Sequence, residues 1–201
     1  GDKTTELIAA WFIFGRSFQD EQLVAEATSL AGSSLDHRRL MAAVAGNVLS
    51  WTDQVARAEA ILKDAFADED HQVRTQSSDA FRRLKPQDVE RYTSLIDTFL
   101  RSPAFGENGF AVLHLMEEAT CDVLDLTILA AEMTIADIER NGNRGSRRGM
   151  DLDRIQDLLK TEYDTSERNA ASRKRILDVI DLMLASGLSG VDSVVTAHDR
   201  W

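Results

Sequence analysis

The stretch from Asp70 to Ser102 constrains the fold more than any other part of the chain, because its apolar residues recur with the period of an α-helix. They form one stripe before Lys85-Pro86 and another after it: Val73, Ala80, Phe81 and Leu84, then Val89, Tyr92, Leu95, Ile96, Phe99 and Leu100. Pro86 suits the first turn of a helix, where a missing N–H group breaks no hydrogen bond. The stretch therefore predicts two amphipathic helices joined by a turn at Lys85-Pro86.

Similar patterns on both sides of this stretch predict a helical array. One pair of amphipathic helices cannot bury its own apolar stripes, so it needs neighbouring pairs. Such pairs recur at intervals close to the ~33–47 residues of helical repeat families. A short last helix is expected from Ser189, because Ser189 and Asp192 have the spacing of a capping box. We expect an all-α fold in which residues 1–201 form a single HEAT-like domain. Its architecture would be a right-handed α-solenoid of about five antiparallel helix pairs, HEAT- or armadillo-like, plus the short C-terminal helix.

The apolar periodicity also gives approximate helix boundaries. Besides the central stretch, it predicts helices near 4–18, 20–31, 34–51, 53–67, 122–140, 151–163 and 166–186. Pro103 is expected to end a helix, and a loop containing Gly106 and Gly109 should precede a looser helix around 110–116. The polar, glycine-rich segment from Asn141 to Gly149 is expected to be an exposed connection.

Composition narrows the class of protein. Only 2 prolines and no run of alternating β-branched residues argue against a sheet. A net charge of -11 disfavours a surface that holds a nucleic-acid backbone. The single cysteine, Cys121, excludes an internal disulfide and fits a reducing compartment. The sequence has neither a signal-peptide pattern nor a run of about 20 apolar residues. We therefore expect a cytoplasmic protein that does not enter a membrane.

Residues that could carry chemistry do not form a recognisable catalytic, cofactor-binding or metal-binding motif. Asp178 and Asp181 lie three positions apart on one predicted helix, as do Asp122 and Asp125, but such carboxylates near arginines usually form weak surface ion pairs. The four histidines are scattered and do not belong to a metal-binding pattern: His37, His71, His114 and His198. His114 lies among apolar neighbours, which favours a structural histidine. We expect no catalytic residues, no metal and no cofactor.

Two segments are candidate contact sites. Arg144, Arg147 and Arg148 lie in the glycine-rich connection, and arginines on a mobile backbone suit an anionic partner. A solvated linker is the alternative interpretation of that segment. Trp11, Phe12, Ile13 and Phe14 cover most of the circumference of the first predicted helix. Because a solvent-facing terminal helix should have a polar side, this patch predicts contact with upstream domains or with a second copy of the chain.

Particular residues resemble known helical families. The segment His71-Gln72-Val73-Arg74, followed by Ala80-Phe81-Arg82-Arg83-Leu84, resembles the second-helix signature of HEAT repeats. The region from about Phe99 to Arg200 is similar to the C-terminal ends of large prokaryotic NTPases, including STAND-like and other ATP-dependent antiphage defence proteins. The residues that carry this resemblance are Leu158-Leu159, Tyr163, RKRILDVIDLM from Arg173 to Met183, and Ala197-His198-Asp199-Arg200. The resemblance implies a helical sensor or scaffold, with any ATP chemistry in an upstream domain.

Three classes of function follow from these observations. The first is a non-catalytic scaffold or sensor module that recognises a protein or ligand and that would form the C-terminal part of a longer defence protein. The second is a HEAT-like nucleic-acid-binding or DNA-glycosylase-type protein, which the acidic composition and the low aromatic content of 6% disfavour. The third is a self-standing oligomerisation domain.

Overall fold

The described part of the chain is helical. The structure, a computed structural model, describes residues 35–49, 55–141, 146–165 and 169–188. These ranges contain no strand, only nine α-helices and two short 3-10 segments, Asp79–Arg83 and Pro86–Asp88. The helices are α1 (Leu35–Val48), α2 (Val55–Phe66), α3 (His71–Ser78), α4 (Thr93–Leu100), α5 (Pro103–Asn108), α6 (Phe110–Glu117), α7 (Leu124–Asn141), α8 (Ser146–Thr165) and α9 (Ala170–Ala185). The predicted all-α class is confirmed for these residues.

The chain divides into two compact units, and the first contains the described residues 35–49, 55–84 and 102–108. In it α1 packs against α2, α3 and the segment Asp79–Arg83, while α5 packs against α3. The rings of Phe66 and Phe81 stack in its core with centroids 5.7 Å apart. Gly46 allows α1 to come close to the 3-10 segment, since a Cβ atom at Gly46 would lie 3.1 Å from the Cβ atom of Ala80.

Polar contacts fix the beginning of α3 within this unit. Asp70 caps α3, since its side chain accepts a 2.7 Å hydrogen bond from the backbone N–H of Gln72. Arg74 donates to the backbone oxygens of Asp68 and Glu69, at 2.5 and 2.9 Å. Its Nε also donates to Glu107 on α5, at 3.0 Å. One arginine thereby joins the α2–α3 turn to α5.

The second unit contains the described residues 85–101, 109–141, 146–165 and 169–188. In it α7 packs against α4, α8 and α9, while α8 packs against α6 and α9. The apolar side chains between these helices are buried, among them Leu95, Ile96, Phe99, Leu113, Met116, Ala130, Ile155, Leu159, Ile176 and Met183. No helix within the described ranges is both long enough and apolar enough to cross a bilayer.

Several predicted boundaries are wrong. The helix expected up to Leu84 leaves the α conformation after Ser78, because the hydroxyls of Ser77 and Ser78 both donate to the backbone oxygen of Arg74. The helix expected to start at Pro86 begins only at Thr93, after a 3-10 turn. Pro103 occupies the first position of α5, in a segment expected to be a loop.

The predicted connection from Asn141 to Gly149 is also wrong over most of its length. Asn141 is the last residue of α7, and α8 starts at Ser146. Gly149 is the single glycine of α8. A glycine costs a helix only about 1 kcal/mol relative to alanine, which the surrounding helix formers can offset. On α9 the buried face is Ile176, Val179, Ile180 and Met183, whereas Leu184 is 44% exposed.

The arrangement of helix pairs into a right-handed solenoid is not confirmed. The boundary between the two units falls between Leu84 and Lys85, within the helix pair that was expected to represent one repeat. The single domain over residues 1–201 stays a prediction. The helices predicted before residue 35 and the last helix from Ser189 lie outside the described residues.

Candidate ligand-binding cleft

A polar cleft of about 510 Å3 lies within the second unit. Its walls come from the end of α6, the turn between α6 and α7, one side of α8 and the beginning of α9. The lining residues are Met116, Glu117, Ala119, Thr120, Cys121, Asp122, Val123, Leu124, Asp157, Leu158, Thr161, Glu162, Thr165, Asn169 and Ser172. Apolar, acidic and hydroxyl side chains therefore line one cavity.

The turn between α6 and α7 is held by hydrogen bonds at both of its ends. The backbone N–H groups of Glu118 and Ala119 donate to oxygens in the last turn of α6, at 3.3 and 3.2 Å. At the other end Asp122 accepts a 2.9 Å hydrogen bond from the backbone N–H of Leu124 at the start of α7. These contacts fix the position of Asp122 and of Cys121, a half-buried free thiol.

The contribution of α8 follows from helical spacing. Asp157, Leu158, Thr161, Glu162 and Thr165 recur at three- and four-residue intervals, which places them along one side of the helix. The hydroxyl groups of Thr161 and Thr165 donate to backbone oxygens one turn earlier, at 2.9 and 3.0 Å. Their oxygens can still accept hydrogen bonds, so this side of α8 offers acceptors to the cleft.

The far end of the cleft is formed by the beginning of α9. Asn169 caps this helix, since its side-chain oxygen accepts from the backbone N–H groups of Ala171 and Ser172, at 3.1 and 3.2 Å. Behind the wall, the guanidinium carbon of Arg173 lies 4.7 Å from the centre of the Tyr163 ring on α8. That contact joins α9 to α8 on one side of the cleft.

The carboxylates of the cleft differ in how they are paired. Glu117 forms an ion pair with Arg154, which also lies 4.2 Å over the ring of Phe110. In contrast, Asp157 and Glu162 form no ion pair with any residue in the described ranges. Burial, and then the negative charge of Asp122, raise the pKa of the Glu162 carboxyl. Among the described residues that line the cleft, the negative charges of Asp157 and Glu162 are therefore not neutralised by an ion pair.

Chemically, the cleft offers acceptors in a partly enclosed space. Within the described residues there is no group of three or more histidine, cysteine or acidic side chains arranged to hold a metal ion. Carboxylates, threonine oxygens and an asparagine can instead hold a ligand that donates hydrogen bonds. The apolar side chains of Met116, Leu124 and Leu158 also line the cleft, but they are buried, with 1%, 8% and 2% of their surface exposed.

The candidate contact sites from the sequence are not part of this cleft as far as the structure describes them. Arg144 and the patch of Trp11, Phe12, Ile13 and Phe14 lie outside the described residues. Arg147 and Arg148 belong to the first turn of α8, and the structure describes only their backbone. Their contact with an anionic partner stays a prediction, as does contact of the patch with upstream domains or a second copy.

Other candidate residues lie on α9 and α6, and some of their partners differ from those expected. Asp178 and Asp181 are exposed on α9, as expected for solvated carboxylates, but Arg175 pairs with Asp125 at 2.7 Å rather than with either of them. His114 is exposed on α6, with its Nδ1 atom 3.4 Å from Glu117 Oε2. Its apolar sequence neighbours Leu113 and Leu115 are buried, whereas His114 faces outward, so its expected role as a hydrogen-bonded structural histidine stays a prediction.

The cleft could not be identified from the sequence because it depends on the approach of four helices. In the sequence, Asp122 has a spacing signal only with Asp125, which lies on α7. The four-residue spacing of Asp157, Thr161 and Thr165 was the available signal, since it predicts a polar strip on a helix that is otherwise apolar on one side. No protein-family model, curated protein or solved structure matches this chain.

Proposed function

We propose that this chain is a non-catalytic helical scaffold or sensor module that recognises part of a protein partner or ligand in the cleft. The observation that carries the proposal is a cavity of about 510 Å3 in which apolar and polar side chains meet. Binding pockets commonly enclose about 300–1,000 Å3 and combine apolar walls with a few fixed polar groups. Asp122 and Asn169 are such fixed polar groups, while the apolar residues Met116 and Leu158 line the cavity with only 1% and 2% of their surface exposed.

The polar groups of the cleft support recognition because many are held in place by the protein itself. Asp122 and Asn169 are fixed by backbone N–H groups, and Glu117 is fixed by Arg154. A site whose groups are positioned before the ligand arrives loses little conformational entropy on binding. Glu162 and Asp157 have no ion-pair partner in the described ranges and are the side chains left to contact a ligand.

The finer parts of the proposal come from the sequence. We propose that the helices belong to HEAT-like pairs of a right-handed solenoid, in the C-terminal part of a cytoplasmic ATP-dependent antiphage defence protein. The supporting residues are the Val73-Arg74 signature and the segment from Arg173 to Met183. Sequencing the genomic region around this chain tests the proposal, since a nucleotide-binding domain upstream in the same reading frame is expected.

Recognition in the cleft can be tested through Cys121, which is the single cysteine of the chain and lines the cavity. A random-sequence peptide library displayed on phage would be selected on the full chain. We expect selected peptides to slow the reaction of Cys121 with a thiol reagent, because a ligand in the cavity blocks access to the sulfur atom. We also expect capping of Cys121 with a bulky maleimide to abolish their binding.

A matched control moves the reactive thiol out of the cleft. In the double variant Cys121→Ser and Glu90→Cys, the thiol lies at an exposed position after the segment Pro86–Asp88. The same maleimide should leave peptide binding unchanged there, while the melting temperature of each labelled protein checks the fold. Recognition in the cleft would be contradicted if the peptides bound equally well to both capped proteins. It would also be contradicted if the library yielded no peptide that protects Cys121.

A further inference from the structure

An asparagine followed by glycine lies at the end of α5. The sequence contains two such pairs, Asn108-Gly109 and Asn141-Gly142. Asparagine is chemically labile in this context, because the next backbone nitrogen can attack its side-chain carbonyl carbon and glycine has no Cβ atom to hinder the approach. Asn108 is the last residue of α5, and Asn141 is the last residue of α7. Both asparagines therefore lie where a helix can fray.

A contact with α3 holds the side chain of Asn108 in place. Asn108 is half-buried, and its Nδ2 atom donates a 3.2 Å hydrogen bond to the Oγ1 atom of Thr75. Both residues belong to the first unit. Attack on the side chain would form a five-membered ring, which requires a backbone ψ angle outside the α-helical range. The last turn of α5 must therefore open before Asn108 can react.

Few residues hold this turn closed. A helix of six residues such as α5 is too short to be stable alone, so its packing against α3 determines how often its end opens. The polar contacts at that end come from neighbouring residues, since Glu107 pairs with Arg74 and Asn108 bonds to Thr75. Glu107 and Thr75 are exposed. A turn held by exposed contacts opens at a lower free energy than a helix in the core.

We infer that Asn108 is a site of spontaneous deamidation and that its hydrogen bond with Thr75 sets the rate. When the end of α5 opens, the backbone nitrogen of Gly109 gives up its proton to water and bonds to Cγ of Asn108. The bond between Cγ and Nδ2 breaks, and the amide nitrogen takes up a proton and leaves as ammonia. Water then opens the resulting succinimide ring at either carbonyl carbon, which gives aspartate or isoaspartate. Water is the only co-reactant.

The products would alter the end of α5. A carboxylate cannot donate a hydrogen bond to Thr75, and it adds negative charge beside Glu107. Isoaspartate also carries the main chain through its side chain, which inserts an additional carbon atom and disrupts the hydrogen bonding of the last helical turn. The inference is independent of the proposed function, because Asn108 is not among the residues that line the cleft.

The test compares folded and unfolded protein. The full chain would be incubated at neutral pH, with and without guanidinium chloride, and both asparagines would be followed by peptide mapping with mass spectrometry. The unfolded chain gives the intrinsic rate of each pair. We expect Asn108 to convert in the folded chain, roughly tenfold or more slowly than in the unfolded chain, because the end of α5 must first open.

The variant Thr75→Val tests the contact that holds Asn108. It keeps the shape of an exposed side chain but removes the acceptor. We expect Asn108 to convert about two- to tenfold faster in the folded variant, which corresponds to the loss of one typical hydrogen bond. The matched control is Thr93→Val, since Thr93 is also exposed and its hydroxyl donates to backbone oxygens one turn earlier.

Asn141 is the internal control, because it belongs to the second unit. Its rate should be the same in Thr75→Val as in the wild type, and Thr93→Val should change neither rate. The inference is wrong if Asn108 stays unmodified in the folded chain long after the unfolded chain has converted. It is also wrong if Thr75→Val leaves the rate at Asn108 unchanged, or raises the rates at both asparagines equally.

Discussion

Asp151 shows how one partly buried side chain can set the pH dependence of stability. Burial raises the pKa of its carboxyl from 3.8 to about 6, while the nearby charge of Arg154 opposes the shift. The folded protein therefore holds a proton on Asp151 at pH values where the unfolded chain has lost it. Stability contributed by this group is present at low pH and is lost as the pH rises from about 4 to about 6.

Replacing Asp151 with asparagine should remove that loss. We expect Asp151→Asn to raise the melting temperature at pH 7, where wild-type Asp151 is ionised and poorly solvated, and to have little effect near pH 4. The control is Asp153→Asn, an exposed carboxylate two residues further along α8, which should change the melting temperature little at either pH. Equal effects of both substitutions at pH 7 would mean that net charge, rather than burial at Asp151, sets the stability.

At the scale of elements, the sequence predicted helices best where apolar residues recur over three or more turns. The residues expected between about 53–67 and 122–140 form α2 and α7 with end points within two residues of the prediction. Prediction was poorer where hydrogen bonds from polar side chains determine where a helix ends. Ser77 and Ser78 end α3 through bonds to one carbonyl group, and periodicity does not register such bonds.

The cleft could not be predicted for a related reason. Its residues lie on four helices and the turn between α6 and α7, and only the packing of α8 against α6, α7 and α9 brings them together. Asp122 and Asp157 are 35 positions apart in the printed sequence, and a single sequence does not report such contacts. Periodicity could indicate that Thr161 and Thr165 share one side of a helix, but it could not indicate what faces them.

The arginine that joins α5 to the α2–α3 turn provides a test at this scale. A six-residue helix such as α5 is too short to be stable alone, so its contacts must hold it. Arg74 supplies two bonds to backbone oxygens and a pair of contacts to Glu107. Arg74→Lys keeps the charge but loses the planar group that serves these acceptors at once, so we expect urea unfolding to show a loss of roughly 1–3 kcal/mol.

Arg38 is the matched control for Arg74. It also pairs with acidic side chains, Asp68 and Glu69, but at 3.4 and 3.3 Å. Arg38→Lys preserves charge in the same way and should cost less than Arg74→Lys, because an ammonium group can replace such looser contacts. A loss for Arg38→Lys that equals or exceeds the loss for Arg74→Lys would show that the bonds to backbone oxygens do not stabilise this turn.

At the scale of the whole molecule, two compact units and a repeat array should respond differently to a destabilising substitution in the core. In an array, each repeat is stabilised by its neighbours, so a defect spreads along the chain. In two units with their own cores, a defect should act mainly within its own unit. Val73 and Val112 allow a comparison, since both valines are buried, at 1% and 0% exposure, and they lie in different units.

We expect Val73→Ala to speed native-state amide exchange in α1–α3 by about tenfold or more and to leave α7–α9 nearly unchanged, whereas Val112→Ala should do the reverse. Each substitution removes two methyl groups from a packed core, which costs about 2 kcal/mol, and about 1.4 kcal/mol corresponds to a tenfold change in an opening equilibrium. Each variant serves as the control for the other, because the chemical change is the same. If both variants speed exchange equally in all of these helices, the described residues open as one cooperative domain, as the single HEAT-like array predicts.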